Sequence, residues 1–214
     1  MTGPVVWLAR HGETEWSASG QHTSRTDLPL TVAGEQEAIA LGTMLRSEHF
    51  DLVESSPRQR AVRTAELAGF KPAIYNDLAE WDYGELEGLT TGQIRANYPG
   101  WEIWHGPWPG GETGGQVAAR ADRVVQRARA LPSGAKALLF SHGHLLRVLT
   151  ARWLGQPPAT GRFFVLGTAT VSVLSWEHGG AAVAQWNVPP SLAPGAPPAG
   201  VTPPAPGAPP GSPR

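Results

Sequence analysis

Two histidine–glycine pairs stand out in this chain for the chemistry they could do. Arg10-His11-Gly12 follows the apolar run Val5–Ala9, and Ser141-His142-Gly143 follows a second one, ALLF at 137–140. A neutral imidazole can act as a nucleophile, and a glycine directly after it lets the backbone turn sharply and bring amides close to a ligand. Arginines accompany the histidines. Arg10 precedes the first, and Arg60 falls on the first turn of a helix expected to open with Ser56 as N-cap and Pro57 at its first position. From there the Arg60 side chain leans back toward the helix N-terminus, where unpaired amides also favour an anion. Two guanidinium forks, two imidazoles and a helix N-terminus brought to one spot would make a pocket for a phosphoryl group. Carboxylates cluster separately in LAEWDYGELEG as Glu80, Asp82 and Glu85, with Glu87 close behind. Any of these could serve as a proton donor or pair with an arginine.

Both histidines lie just past the carboxyl end of an expected strand. That is where ligands bind in open α/β sheets. Strands are expected at Val5–Ala9, Leu52–Ser55, Ala73–Tyr75, Ala137–Phe140, Thr170–Trp176 and Ala182–Asn187. The run ALLF is short and continuously apolar, as in a strand buried on both faces. Helical spacing runs from Thr31 as N-cap through Ala38, Leu41 and Leu45. It appears again after Thr113, where Thr113 and Gln116 form a capping box ahead of Val117, Ala121, Val124, Ala128 and Leu131. A further helix follows Gly143, through Leu146 to Leu154. Strands alternating with helices predict a three-layer α/β/α sandwich with a mostly parallel central sheet. The last two strands, joined at Gly179-Gly180, predict an antiparallel edge. If the two histidine-bearing strands are parallel neighbours, His11 and His142 face each other.

Composition sets the outer limits. The chain has 214 residues, 41% of them apolar, enough for one sizeable core. Its formal charge of −1 comes with no basic block of the kind that tracks nucleic acid or anionic lipid. The absence of cysteine excludes disulfides, thiolate metal sites and thiol catalysis. The opening MTGPVVWLARHG does not read as a signal peptide, and no apolar run is long enough for a membrane span. A soluble, cytoplasmic protein is expected. A catalytic domain is expected over residues 1–188. Residues 189–214 hold eleven of the 21 prolines and almost nothing able to form a core, so they read as an extended, disordered tail.

Five motifs in order make the chain resemble the histidine phosphatase superfamily, the group containing cofactor-dependent phosphoglycerate mutases and many phosphatases. They are RHG at 10–12, D-x-P-L-T-x-x-G from Asp27 to Gly34 and S-S-P-x-x-R-A-x-x-T-A from Ser55 to Ala65. The remaining two are L-x-E-x-x-x-G-x-x-E-G from Leu78 to Gly88 and S-H-G at 141–143. The resemblance covers residues 5–188. It implies that His11 accepts the phosphoryl group, with Arg10, Arg60 and His142 stabilising it. It selects Glu80 as the acid that protonates the leaving alcohol and later activates water. Glu13 is expected to orient the RHG loop, and Glu87-Gly88 to form an anchoring turn. No metal and no other cofactor is implied, because these cations take the role magnesium plays elsewhere.

Within the superfamily the text departs from the mutases. Ser17 stands where they carry asparagine, and SGQHTSRTDLPLT is similar to the acid-phosphatase and sugar-bisphosphatase branch. The resemblance therefore implies a phosphomonoesterase acting on small phosphorylated metabolites, sugar bisphosphates among them. A phosphoglycerate mutase is the enzymatic alternative, and a non-catalytic phosphate-binding scaffold is the alternative from another class. Gly143, Ser17, His22 and Thr23 complete the expected substrate contacts. Arg25 and Arg147 are candidates for a second phosphate, Arg147 equally for a helix-surface ion pair. Trp101, Trp104, His105 and Trp108 sit on a Gly/Pro-rich loop that either roofs the pocket or buries itself. His144 makes an H-x-H spacing with His142, but no acidic ligand is fixed beside it, so a metal is not expected. Candidate protein partners are a second copy of the chain and a proline-recognition domain for the tail.

Overall fold

The computed structural model describes residues 3–190, so the tail from Ser191 onward lies outside the described residues. In chain order the strands are β1 (Val5–Arg10), β2 (Leu52–Ser55), β3 (Ala73–Ile74), β4 (Lys136–Ser141), β5 (Val171–Glu177) and β6 (Gly180–Val188). The helices are α1 (Glu15–Ser19), α2 (Val32–Leu45), α3 (Gln59–Leu67), α4 (Thr91–Asn97), α5 (Gly114–Arg129) and α6 (Gly143–Trp153). The six strands form one sheet in the order β3-β2-β4-β1-β5-β6. The first four run parallel, and β5 and β6 add the antiparallel edge.

The central position of β4 follows from its composition. Ala137, Leu138, Leu139 and Phe140 are all at most 1% exposed, so alternate residues meet apolar neighbours on both faces. On one face, Ala137 and Leu139 join residues of α5 and α6. On the other, Leu138 and Phe140 join Leu41 and Leu45 of α2 and Ala65 of α3. These are the expected three layers. Each fully buried leucine or phenylalanine contributes about 1.5–3 kcal/mol. Together such residues hold rigid the strand ends that carry the histidines.

Side-chain caps set several helix starts. Thr31 Oγ1 accepts from Gly34 N–H at 3.0 Å, as expected. The Thr113–Gln116 box forms as read. A second box, Thr90–Gln93, starts α4, whose seven residues were too short a pattern to stand out in the sequence. One expectation fails. The helix carrying Arg60 does not begin at Ser56-Pro57 but at Gln59, with Arg58 as N-cap. Pro57 and Arg58 form a bend instead, because the Ser56 hydroxyl is drawn to His142.

Candidate active site

Pairing of β1 with β4 sets Arg10 opposite Ser141, so the residues that follow, His11 and His142, lie side by side. Their ring centroids are 5.1 Å apart, and both side chains are buried. His11 Nδ1 lies 2.7 Å from the carbonyl of Gly12. A carbonyl can only accept, so Nδ1 carries the hydrogen and Nε2 keeps its lone pair. Burial, followed by the charges of Arg60 and Arg10, holds the His11 pKa well below the ordinary histidine value. At neutral pH the ring is uncharged and its Nε2 is free to attack.

The loop around His11 is held from several sides. Gly12 N–H donates to Thr64 Oγ1 on α3 at 3.0 Å. Glu13 N–H donates to the buried Glu37 on α2, and Glu13 Oε1 accepts from Thr31 Oγ1 at 2.8 Å. Glu13 therefore orients the loop. Gly34 of α2 packs so closely that a Cβ there would lie 2.2 Å from the Glu13 carbonyl. Ala169 N–H donates to the His11 carbonyl from a left-handed backbone, φ 48°, which is costly for a residue with a Cβ.

The arginines play different parts. Arg10 lines the cleft in front of His11, lies against Gly143 and donates from Nη1 to the carbonyl of Leu166 at 2.5 Å. Its buried Nε–H has no protein acceptor among the described residues. Arg60 is fully buried and outside the cleft lining. Its guanidinium donates to the carbonyls of Thr23, Ser24 and Thr26, and its Nε–H to His142 Nδ1 at 3.3 Å. Here Arg60 binds the 23–26 loop and sets the local charge. The helix N-terminus expected to attract a ligand anion already has one: the Asp27 carboxylate accepts from Gln59 N–H at 2.9 Å.

Glu80 reaches the cleft from the segment between β3 and α4. Its Oε2 accepts from His144 N–H, and its Oε1 from Leu145 N–H and Trp81 N–H, all within 2.9 Å. The carboxylate thus caps the N-terminus of α6, the helix that His142 opens. Asp82 instead pairs with Arg25, a largely exposed side chain outside the residues that line the cleft. Glu87 is the expected loop anchor: its Oε1 accepts from Ser24 N–H at 3.0 Å and also from Thr26 N–H. Gly88 beside it turns at φ 80°.

The cleft holds about 190 Å3. It is lined by Arg10, His11, Ser17, His22, Thr23, Glu80 and Gly143 from the expected set. Sequence reading missed Tyr83, Thr14, Gln21 and Leu166, which also line it. Tyr83 was within reach as a residue inside the carboxylate cluster, on the same segment as Glu80. His144 shares a 2.6 Å hydrogen bond with Tyr83, and among the described residues no group of metal-ligating side chains assembles. Burial lowers the His22 pKa to about 4, so its ring is neutral at pH 7. Arg147 lines the far side and donates to the carbonyls of Gly161 and Arg162. It also lies over the Trp104 ring at 4.6 Å, and this contact replaces the alternative of a helix-surface ion pair. Burial brings its pKa down to about 10, which leaves it charged.

The tryptophan loop does not roof the cleft. Trp101 is 3% exposed and packs in the core with Ile103, while Trp108 stacks on Trp81. Their indole N–H groups donate to Pro107 and Ile103 carbonyls, which lets the rings be buried without loss of hydrogen bonding. His105 stays exposed beside Glu102.

Comparison with known proteins agrees with this geometry. The profile of the histidine phosphatase superfamily (branch 1) matches residues 6–189. An acid phosphatase of Mycobacterium tuberculosis is 43% identical over 175 residues, spanning 80% of this chain and 86% of that protein. A sedoheptulose 1,7-bisphosphatase of Saccharomyces cerevisiae is 34% identical over 185 residues, covering 71% and 68% respectively. The solved structure of a Mycobacterium tuberculosis open reading frame product superposes with a TM-score of 0.85 at 40% identity. It covers 87% of this chain and 98% of its own.

Proposed function

Because the chain belongs to the histidine phosphatase superfamily, we propose that it hydrolyses small phosphomonoesters through a phosphohistidine on His11. The observation that carries this reading is the free Nε2 of a neutral His11, set beside an Arg10 guanidinium with a donor to spare. The phosphate enters the cleft against Arg10 and the Gly143 turn. His11 Nε2 attacks phosphorus, the P–O bond to the alcohol breaks, and Glu80 gives its proton to the departing oxygen. Water then attacks the phosphohistidine, Glu80 takes back a proton, and the N–P bond breaks to release phosphate. The surrounding cations supply charge stabilisation without rearranging, which is most of what phosphoryl transfer requires. Arg60 and His142 act from behind His11, and Ser17, His22 and Thr23 contact the body of the substrate.

The mutase reading is less favoured, since the relatives at 43% and 34% identity carry phosphatase names. Among the described residues no helix is long and apolar enough to cross a membrane. We further place the protein in the cytoplasm, with residues 1–188 as the catalytic domain. Its proposed protein partners are a second copy of the chain and a proline-recognition domain for the tail. The deciding experiment is hydrolysis of a generic phosphomonoester in EDTA by the wild type and His11→Ala. The wild type should release phosphate and trap 32P on the protein, and the variant should do neither. Turnover kept by the variant would remove His11 as the acceptor.

A further inference from the structure

We propose that Ser56 is a positioning residue that fixes the tautomer and ring orientation of His142, and thereby holds Arg60 against that ring. Arg60 Nε–H is a permanent donor, and it points at His142 Nδ1 from 3.3 Å. That nitrogen must therefore offer a lone pair. His142 is fully buried among Arg60, His11 and Arg10, which keeps it neutral, with a single ring hydrogen. The hydrogen is consequently on Nε2, 2.7 Å from Ser56 Oγ, and the serine oxygen accepts it. The opposite tautomer would set an Nδ1–H against the Arg60 N–H, donor facing donor.

Ser56 is well placed for this task. It is fully buried, and it follows Ser55, which pairs with Phe140 in the sheet. Its own N–H donates to the Phe140 carbonyl at 2.9 Å. The serine is thus tied to Phe140 near the end of β4, where Ser141 leads into His142. Its hydroxyl oxygen also accepts from Arg58 N–H at 3.3 Å. The imidazole is clamped between a hydroxyl fixed by the sheet and a guanidinium fixed by α3. This explains why Ser56 bends away from a helix cap. Removing the hydroxyl leaves a buried Nε2–H without an acceptor. The ring can recover a partner only by turning or by shifting its hydrogen, and either move breaks the Arg60 contact behind His11. In effect, a side chain that never enters the cleft sets the hydrogen-bond direction of one that lies against the nucleophile.

The activity arm of the test rests on the phosphohistidine reading; the spectroscopic arm does not. Long-range 1H–15N correlation on the 15N-labelled wild type, with His142 assigned by comparison with His142→Gln, should show a protonated Nε2 and an unprotonated Nδ1. Ser56→Ala should show a mixed or reversed pattern. Its kcat should fall about 10- to 100-fold, the scale of a small misplacement in a site, with KM within about threefold. Ser56→Thr, which restores the hydroxyl, should recover the wild-type tautomer and most of the rate. A wild-type His142 protonated on Nδ1 overturns the proposal, and it does so even if Ser56→Ala does not fold. An Ser56→Ala protein with unchanged tautomer and unchanged kcat overturns it as well. If the wild type shows no phosphatase activity at all, the functional reading fails, while the tautomer pattern still decides the role of Ser56.

Discussion

Single residues in this protein do their work by being kept neutral or being tied down. His22 is the case with the clearest consequence for stability. Its folded pKa is about 4, below the ordinary value near 6.5, because the ring is taken out of water. Between those two values the unfolded chain binds a proton that the folded chain excludes. Folding stability is therefore fully present above pH 6.5 and declines as pH falls toward 4, by roughly 3 kcal/mol at most for this one group. His11, His142 and His144 are depressed in the same direction and add to the slope. Thermal melts should show Tm dropping from pH 7 to pH 4.5 in the wild type, and a smaller drop in His22→Gln. Equal drops in the two proteins would show that His22 does not stay neutral in the fold. The same neutrality serves the proposed chemistry at His11, where a protonated ring could not attack.

At the scale of elements, Glu80 has two duties that mutation can separate. As an acceptor it caps α6 through three backbone N–H groups, and as an acid it is proposed to protonate the leaving alcohol. Glu80→Ala should lose both, lowering stability by about 2 kcal/mol through the lost cap and stranded donors. Glu80→Gln keeps an oxygen for Trp81 and Leu145, so its Tm should lie between those of the alanine variant and the wild type. Its turnover should nonetheless fall with the alanine variant's on substrates with poor leaving groups, and much less on an aryl phosphate whose leaving group needs no acid. Uniform retention of activity in Glu80→Gln would end the acid assignment. Such a dual role was not legible in the sequence, where the carboxylate and α6 are more than sixty residues apart. What was legible were the local signals: the Thr31 and Thr113 caps, and the apolar run that becomes β4. The Ser56-Pro57 start misled because a capping hydroxyl was assumed to stay with its own helix, whereas here a buried imidazole competes for it and wins.

For the whole molecule, the core and the cleft are built by residues spread across 3–190. Among the described residues, apolar clusters cover both faces of the sheet and one cleft joins the ends of β1 and β4. Residues 191–214 are mostly proline, alanine and glycine with almost nothing able to form a core, so deleting them should leave Tm within about 1 °C and kcat/KM within about twofold. Calorimetry and steady-state kinetics on the two lengths would check this, and a large loss in either would give the proline-rich segment a role in the fold or the site. The parallel pairing of β1 with β4 is the molecular feature on which the site depends most. It joins segments about 130 residues apart and sets the two histidines side by side.

By itself the sequence determined the residue types of the phosphoryl pocket and the strand ends that bear them. Histidine and glycine recur just past two separate apolar runs with arginines near both, and that joint occurrence carries the reading, while the alternation of strand and helix restricts the layering. Tertiary structure alone decided which of these groups faces the cleft. Arg10 and Arg60 are the same side chain in the sequence. One lines the cleft and keeps a buried Nε–H without a protein acceptor among the described residues, and the other spends its hydrogen bonds on loop carbonyls and His142. Likewise the tryptophan loop could have been a roof, but burying its rings with their N–H groups satisfied by backbone carbonyls draws it into the core. Composition names the donors and acceptors available; only packing decides which of them meet.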